Sequence, residues 1–591
     1  MLFHIFQQHI DKALDDLVTD GDLPADLDRK NVTLEPPRDP SHGDLSTNAA
    51  MVLSKAAGEK PRDLAEKIVG KLEALDDVKT AEMAGPGFIN LRVSDAVLIA
   101  ELKEIEALGA DYGRSNKGQG VTVNVEYVSA NPTGPMHMGH CRGAVVGDAL
   151  ADLLEFIGHK VIREYYVNDA GAQVDLLAQS TYLRYMEVLG HKGDFTTEQF
   201  PWLESQFKKW EDRENRLYPG DYLVPIANEI ADEFGNTFAD KPIEAWLQIF
   251  RKRSVAGMMD MIRADLALLG IEHDVFSSEA ELHEAGKADV AEAELRARDL
   301  VYDGVLEKPK GKTIDDWEPV ELPLFRSTQF GDDQDRPIKK SNGRWTYFGG
   351  DLAYHFQKAQ QADELIDIWG ADHSGTVKRI KAAVAALTEG KTKFDVKLIQ
   401  MVRLLRDGEP EKMSKRSGNF VTIADMVEEV GKDAVRFTML TRKADAQMDF
   451  DFAKVTEASR DNPVFYVQYA HARIQSTLRK AAEEENVLPS ADHLDKLGAE
   501  ELDLVKQAAQ FPRIVESAAM SREPHRIAFY LNDLAAAFHA FWNMGNDRPE
   551  MRIIMVNDPA MTSARLFLAK YLGQVIKNGL ALMGVSAADK M

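Results

Sequence analysis

The stretch Val125-Glu126-Tyr127-Val128-Ser129-Ala130-Asn131-Pro132-Thr133-Gly134-Pro135-Met136-His137-Met138-Gly139-His140 decides how the chain is read. Just before and into it, Val121, Val123, Val125 and Tyr127 alternate with Thr122, Asn124 and Glu126, which is the period of a strand. Beyond it, Val145, Val146, Ala149, Leu150, Leu153, Leu154 and Ile157 recur at helical spacing, and Lys160 to Val167 reads as a second strand. Two imidazoles three residues apart therefore stand at a helix N-terminus, with a glycine between them. A helix end offers unsatisfied backbone N–H groups, and glycine lets a nucleotide approach closely, so the segment suits a polyphosphate. Capping or metal-binding histidines are the plainer alternative. No third ligand stands nearby in the sequence, and no metal site is expected.

Outward from this segment, the α/β style returns with strands expected at 344–348, 364–369 and 396–402. Strands alternating with helices imply a parallel sheet covered on both faces. The long, charged, helical stretch from about 180 to 300 reads as an insertion that splits the sheet into two halves. Residues 1–108 form an N-terminal α+β domain, 109–454 a Rossmann-like domain, and 455–591 an all-helical domain. The usual glycine loops are missing: Gly370 and Gly375 have P-loop spacing, but Thr376 stands where lysine is required, and Gly118-Gln119-Gly120 does not continue as a dinucleotide fingerprint. Instead, Glu411-Lys412-Met413-Ser414-Lys415-Arg416-Ser417-Gly418-Asn419 supplies a lysine-rich turn able to bring ammonium groups onto a leaving pyrophosphate.

Composition agrees with a globular chain. Of 591 residues, 44% are hydrophobic and 28% charged, near globular averages, which excludes wholesale disorder and fibrous proteins. No run reaches the roughly 18 apolar residues of a membrane span. The start lacks a basic n-region and carries Asp11, Asp15 and Asp16, so no targeting peptide is expected and the chain reads as cytoplasmic. A lone Cys141 excludes internal disulfides and reads as a buried helix residue. The net charge of −25 argues against binding nucleic acid through the overall field. Residues 455–591, however, carry 15 Lys and Arg against 17 Asp and Glu, so −23 of that charge lies in 1–454 and a polyanion is most easily received by the helical part.

Taken together, the His137/His140 segment and the lysine loop resemble the two signatures of class I aminoacyl-tRNA synthetases. Arg163-Glu164-Tyr165-Tyr166-Val167-Asn168-Asp169-Ala170-Gly171, His42-Gly43-Asp44-Leu45-Ser46-Thr47-Asn48, Gly85-Pro86-Gly87-Phe88-Ile89-Asn90, Trp369-Gly370-Ala371-Asp372-His373 and Asp433-Ala434-Val435-Arg436-Phe437 are similar to the bacterial arginyl-tRNA synthetase family across the whole chain. Many members have a degenerate lysine loop, whereas here it is intact. A lysine- or glutamate-charging ligase and a non-catalytic RNA-binding relative are the rivals. An acidic pocket disfavours glutamate, and intact histidines and lysines disfavour the second.

What the resemblance implies is ATP-dependent attachment of L-arginine to tRNA(Arg) through an arginyl-adenylate, by a monomer, with Mg²⁺ accompanying ATP. His137, Gly139, His140, Met413 and Lys415 would bind ATP, with His137, His140, Lys412 and Lys415 as the catalytic set. Arginine would be met by Glu126, Asn131, His137, Tyr347, Asp351 and Asp372; three of these are acidic, as a guanidinium demands. Read from the residues alone, Glu126 is equally a solvated strand position, Asp351 an N-cap and Tyr347 a core aromatic. Asp372 sits at the carboxyl end of an expected strand, where open α/β sheets place ligands. Phe88 and Asn90 would stack on and hydrogen-bond an unstacked tRNA base, with core packing as the alternative for Phe88. Tyr466, Tyr469, His471, Arg473 and Trp542 are candidates for the anticodon, again with core packing as the alternative.

Overall fold

The computed structural model describes residues 2–191, 217–218, 220–305, 320–411 and 421–591. They form two compact units: Asn116–Glu457 with Arg522–His525, and Met1–Ser115 with Ala458–Ser521 and Arg526–Met591.

The first unit is built on a five-stranded parallel sheet. Its strands are β1 (Thr122–Glu126), β2 (Lys160–Val167), β3 (Val275–Ser278), β4 (Glu364–Gly370) and β5 (Lys393–Ile399), in the order β5–β4–β1–β2–β3. This is the doubly wound order, and its direction reverses between β1 and β4. Ligands bind outside the carboxyl ends of strands at that point, because the two connections diverge and leave a crevice. Val123 and Val125 are fully buried, as a strand covered on both faces requires. Helix α1 (Met138–Phe156) follows β1 directly. Gly147 lets it sit on the sheet, since a Cβ there would lie 2.4 Å from the Tyr127 side chain.

Three sequence expectations are corrected. Residues 344–348 are not a strand: Thr346 caps a helix, α3 (Tyr347–Ala359), by accepting from the Gly349 N–H. The stretch near 396–402 divides, because β5 ends at Ile399 and Val402–Arg406 pairs in a separate three-stranded sheet. The 180–300 stretch is not wholly helical insertion. Its helices Val224–Phe234 and Ile243–Leu268 pack with Ala172–Val188 around Tyr182 stacked 3.9 Å from Trp246. But β3 returns to the main sheet, followed by the short helix α2 (Glu279–Glu284). Four residues with two polar serines give β3 too little periodicity to be seen.

In the second unit, an antiparallel sheet of Leu34–Glu35, Leu45–Thr47, Phe88–Val93 and Val78–Ala84 is accompanied by helices of the N-terminal segment. The C-terminal helices include Pro463–Glu484, His525–Asp547 and Pro559–Ala581. These two sequence segments meet within the unit: Asn578 Nδ2 donates to the carbonyls of Gly109 and Tyr112, and Tyr571 Oη donates to Glu106.

Candidate active site

Between β1 and α1 the backbone is strained. Val128 has φ 72° and Ser129 φ 40°. A β-branched residue at positive φ is a genuine outlier, and such strain gathers at functional turns. Ser129 holds the turn: its hydroxyl accepts from the Tyr166 N–H at 3.0 Å and donates to Glu126 at 2.9 Å. The chain then reaches the histidines. His137 is the N-cap of α1, its Nδ1 accepting from the Gly139 N–H at 3.0 Å, and His140 Nδ1 accepts from the His137 N–H at 3.3 Å. An Nδ1 that accepts carries no proton, so each ring is a neutral tautomer with Nε2–H as donor. The rings lie 4.1 Å apart. The capping reading of these histidines is thus realised without excluding phosphate binding: capping orients two N–H donors beside a helix end that itself attracts anions. Gly139 is required, because a Cβ there would stand 2.8 Å from the His137 ring.

Lys412, Met413 and Lys415 lie outside the described residues. Just after them, however, the backbone is tied to the histidine segment: Ile423 N–H donates to Met136 O at 3.1 Å and Met138 N–H to Val421 O at 3.3 Å. The fully buried Arg142, on the second turn of α1, donates to the carbonyls of Gln400, Lys443 and Ala446. Beside it, Cys141 is fully buried and burial pushes its thiol up to about 12, so it is inert.

At the carboxyl ends of β1, β2 and β3 lies an acidic pocket. Asp351 is the fifth residue of α3, not an N-cap. Burial pushes its carboxyl up, with His355 and Arg379 restraining the rise. Glu279, which the sequence reading missed, opens α2; its Oε1 lies 3.9 Å from where a Cβ on Gly350 would be. Burial raises its carboxyl too, opposed by His283, and Asp351 adds to the rise. The Tyr166 phenol, packed 4.4 Å from Tyr354, is pushed well up by burial and by Glu279, Asp351, Glu126 and Asp169. Four carboxylates thus act on one phenol from β1, the β2 end, α2 and α3. Asp169 is committed to structure, accepting from Ser278 Oγ and the Ala280 N–H. The only signal that could have revealed Glu279 was its place after a strand, and that strand was itself hidden.

Other expected residues are scattered. Glu126 is buried, not solvated, and accepts from Lys358 Nζ at 2.7 Å. Asn131 is exposed and donates to Gln173 at 3.0 Å. Tyr347 is 83% exposed at the start of α3, which removes the core reading. Asp372 follows the end of β4 as expected and is exposed. In the second unit, Phe88 is exposed, which removes its core reading, while Asn90 is buried and accepts from Ser46 Oγ. His471 is buried against Ala588 O; Arg473, by contrast, lies over the rings of Tyr469 and Trp542 at 4.5 and 5.1 Å, with Tyr466 beside His539.

A doubly wound sheet with paired histidines capping the helix after its first strand, and an acidic pocket at the carboxyl ends of its strands, is the class I aminoacyl-tRNA synthetase arrangement. Residues 104–476 match the class I (R) tRNA synthetase catalytic domain, 4–93 the arginyl tRNA synthetase N terminal domain, and 467–591 the DALR anticodon binding domain. Among curated relatives, the Arginine--tRNA ligase of Novosphingobium aromaticivorans is 67% identical over 99% of this chain and 98% of its own length, and that of Roseobacter denitrificans 52% identical over 98% of both. The fold is that of the arginyl-tRNA synthetase of Thermus thermophilus, with a TM-score of 0.71 over all of both chains at 20% identity. The chain belongs to the arginyl-tRNA synthetase family.

Proposed function

We propose that this enzyme, an arginine–tRNA ligase, activates L-arginine with ATP and passes the arginyl group to the terminal ribose of tRNA(Arg). The arginine carboxylate attacks the α-phosphorus, pyrophosphate leaves with the bonding electron pair, and the ribose hydroxyl then displaces AMP. No protein nucleophile is needed; positioning and charge stabilisation do the work. His137 and His140 donate Nε2–H to the phosphates, with Gly139 allowing close approach, and Lys412, Met413 and Lys415 act on the nucleotide and its leaving pyrophosphate. Asp351 and Glu279 receive the guanidinium within the wall that Glu126 completes, and Asn131, His137, Tyr347 and Asp372 border the amino-acid site. Phe88 and Asn90 serve the tRNA from the N-terminal domain (1–108), and the Tyr469–Arg473–Trp542 cluster presents stackable planes from the helical domain (455–591). Mg²⁺ is expected on the ATP phosphates. The described buried cluster of ligand type, Glu126, His355 and Asp367, does not fit it, because Lys358 Nζ lies 2.7 Å from both carboxylates. No step is routed through the ion. No described helix is long and apolar enough to cross a membrane; the enzyme is taken to act as a cytoplasmic monomer.

The observation that carries this reading is the acidic pocket at the carboxyl ends of the central strands, beside a histidine-capped helix. ATP–pyrophosphate exchange with each amino acid, with and without tRNA, tests it. The family resemblance implies exchange with arginine alone, and only when tRNA(Arg) is present. Robust exchange without tRNA, or with lysine, would overturn it.

A further inference from the structure

Three carboxylates stand side by side across the centre of the sheet. The strand register places Glu126 of β1 next to Asp367 of β4 on one side and Glu164 of β2 on the other. All three are at most 6% exposed. Like charges directly opposite one another across strands are destabilising, and in a buried site the repulsion is stronger. Each has a distinct answer. Glu164 accepts from the Asn124 amide and the Ser277 hydroxyl. Asp367 accepts from His355 Nε2 at 2.9 Å and Lys358 Nζ at 2.7 Å. Glu126 accepts from Lys358 at 2.7 Å through one oxygen and from the Ser129 hydroxyl at 2.9 Å through the other. Lys358, fully enclosed on α3, is thus shared between two strands.

The same helix carries Asp351. His355 donates Nδ1–H to the Asp351 carbonyl at 2.8 Å and Nε2–H to Asp367, so both its partners are acceptors and the ring is an imidazolium. Two cations on α3 therefore balance Glu126 and Asp367. Among the described residues, no cation lies within ion-pair distance of the Asp351 carboxylate, and Glu279 has only His283 at 3.6 Å.

We propose that Lys358 is a positioning residue of the arginine site: its ammonium neutralises and orients Glu126 and Asp367, leaving Asp351 and Glu279, which no described lysine or arginine pairs with, for the substrate. The assignment rests on the pocket proposed above. Lys358 itself touches no substrate. Its effect on Glu126 is to limit the rise that burial imposes on that carboxyl, while Asp367 is held below its ordinary range against burial by Lys358 and His355. The groups facing this pair are Glu164 and Tyr166 from β2, and Asp351, Tyr354 and His355 from α3.

The test is the arginine KM of full-length enzyme in tRNA charging at pH 6 to 9, with ATP KM and kcat measured alongside. Wild type and Lys358→Arg, which keeps the charge, should give a nearly flat arginine KM. Lys358→Met should raise it about tenfold or more, with ATP KM and kcat nearly unchanged. That KM should also fall as pH rises, because a carboxyl no longer held ionised then loses its proton and attracts the guanidinium. The double variant Glu126→Gln/Lys358→Met removes one charge of each sign and should restore the flat profile. A Lys358→Met enzyme with wild-type arginine KM, or one losing arginine KM, ATP KM and kcat alike, overturns the proposal. If Lys358→Met does not fold, Lys358→Arg and the double variant decide it, and a pH-dependent arginine KM in either, or failure of both to fold, is the negative result. A wild-type enzyme that charges lysine instead would sink the pocket reading, while the pH comparison for lysine would still judge Lys358.

Discussion

At the residue scale, charge and burial decide what each acid does. Asp351 has no ion-pair partner among the described residues, although burial makes its charged form costly. A bound guanidinium would lift that penalty. Asp351→Asn is therefore expected to raise the arginine KM by the equivalent of about 2–5 kcal/mol, the scale for losing one partner of a buried charge pair. ATP KM should stay put; an unchanged arginine KM would remove Asp351 from the site. His273 illustrates the opposite charge. It lies between Tyr127, at 4.2 Å, and Tyr165, at 5.5 Å, and burial lowers it to about 4. Its unfolded value is near 6.5, so between those values the unfolded chain takes up a proton that the folded one refuses. Stability is whole above pH 6.5 and drains away as pH falls toward 4, by on the order of 3 kcal/mol. His273→Phe should remove that part of the acid sensitivity in urea unfolding at pH 7 and pH 4.5. Equal acid losses for both proteins would contradict it.

At the element scale, helix α1 carries the paired histidines at its N-terminus. Its N-terminal histidines depend on its seating, and two buried arginines fix that seating. Arg142 donates to three carbonyls of the chain around 400–446, and Arg436 reaches across to Asp148 of α1 and to Leu269 O. Removing the Arg142 guanidinium would leave three acceptors without their donor, each costing about 1–3 kcal/mol if no water replaces it. Arg142→Met should cost at least about 3 kcal/mol by urea unfolding, and Arg142→Lys nearly as much, since one ammonium cannot copy the planar fork. A loss under about 1 kcal/mol would show that Arg142 does not hold α1 in place. The apolar face of α1 was legible from spacing. The arginines were not, because a buried arginine is written in sequence like any surface one.

At the scale of the whole molecule, the elements that line the pocket at the carboxyl ends of β1, β2 and β3 converge from distant parts of the chain. Glu126 and Lys358 are 232 residues apart in sequence and 2.7 Å apart in space. The tRNA must be met by other surfaces. The exposed Phe88 and the half-buried Arg473 stack belong to the second unit, and Arg473 lies in the nearly neutral stretch 455–591. If Arg473 offers its plane to an unstacked base, Arg473→Ala should weaken tRNA binding by about 1–3 kcal/mol with little change in arginine KM at saturating tRNA. Unaltered tRNA affinity in a filter-binding titration would return that cluster to core packing.

The sequence by itself determined the class of fold and the family. Period-two and helical spacings are local, and the histidine and lysine segments are contiguous, so each is complete within a few residues. Only the tertiary structure decided which acids are brought together and which are paired off. It hid β3 inside a polar stretch too short to show a period, moved Tyr347 from a strand to an exposed helix start, and removed the N-cap alternative for Asp351 by placing it inside α3. It also gave Glu126 a lysine for a partner. Burial and strand register determine whether a carboxylate is a ligand or a neighbour's counter-ion, and neither quantity exists until the strands are side by side.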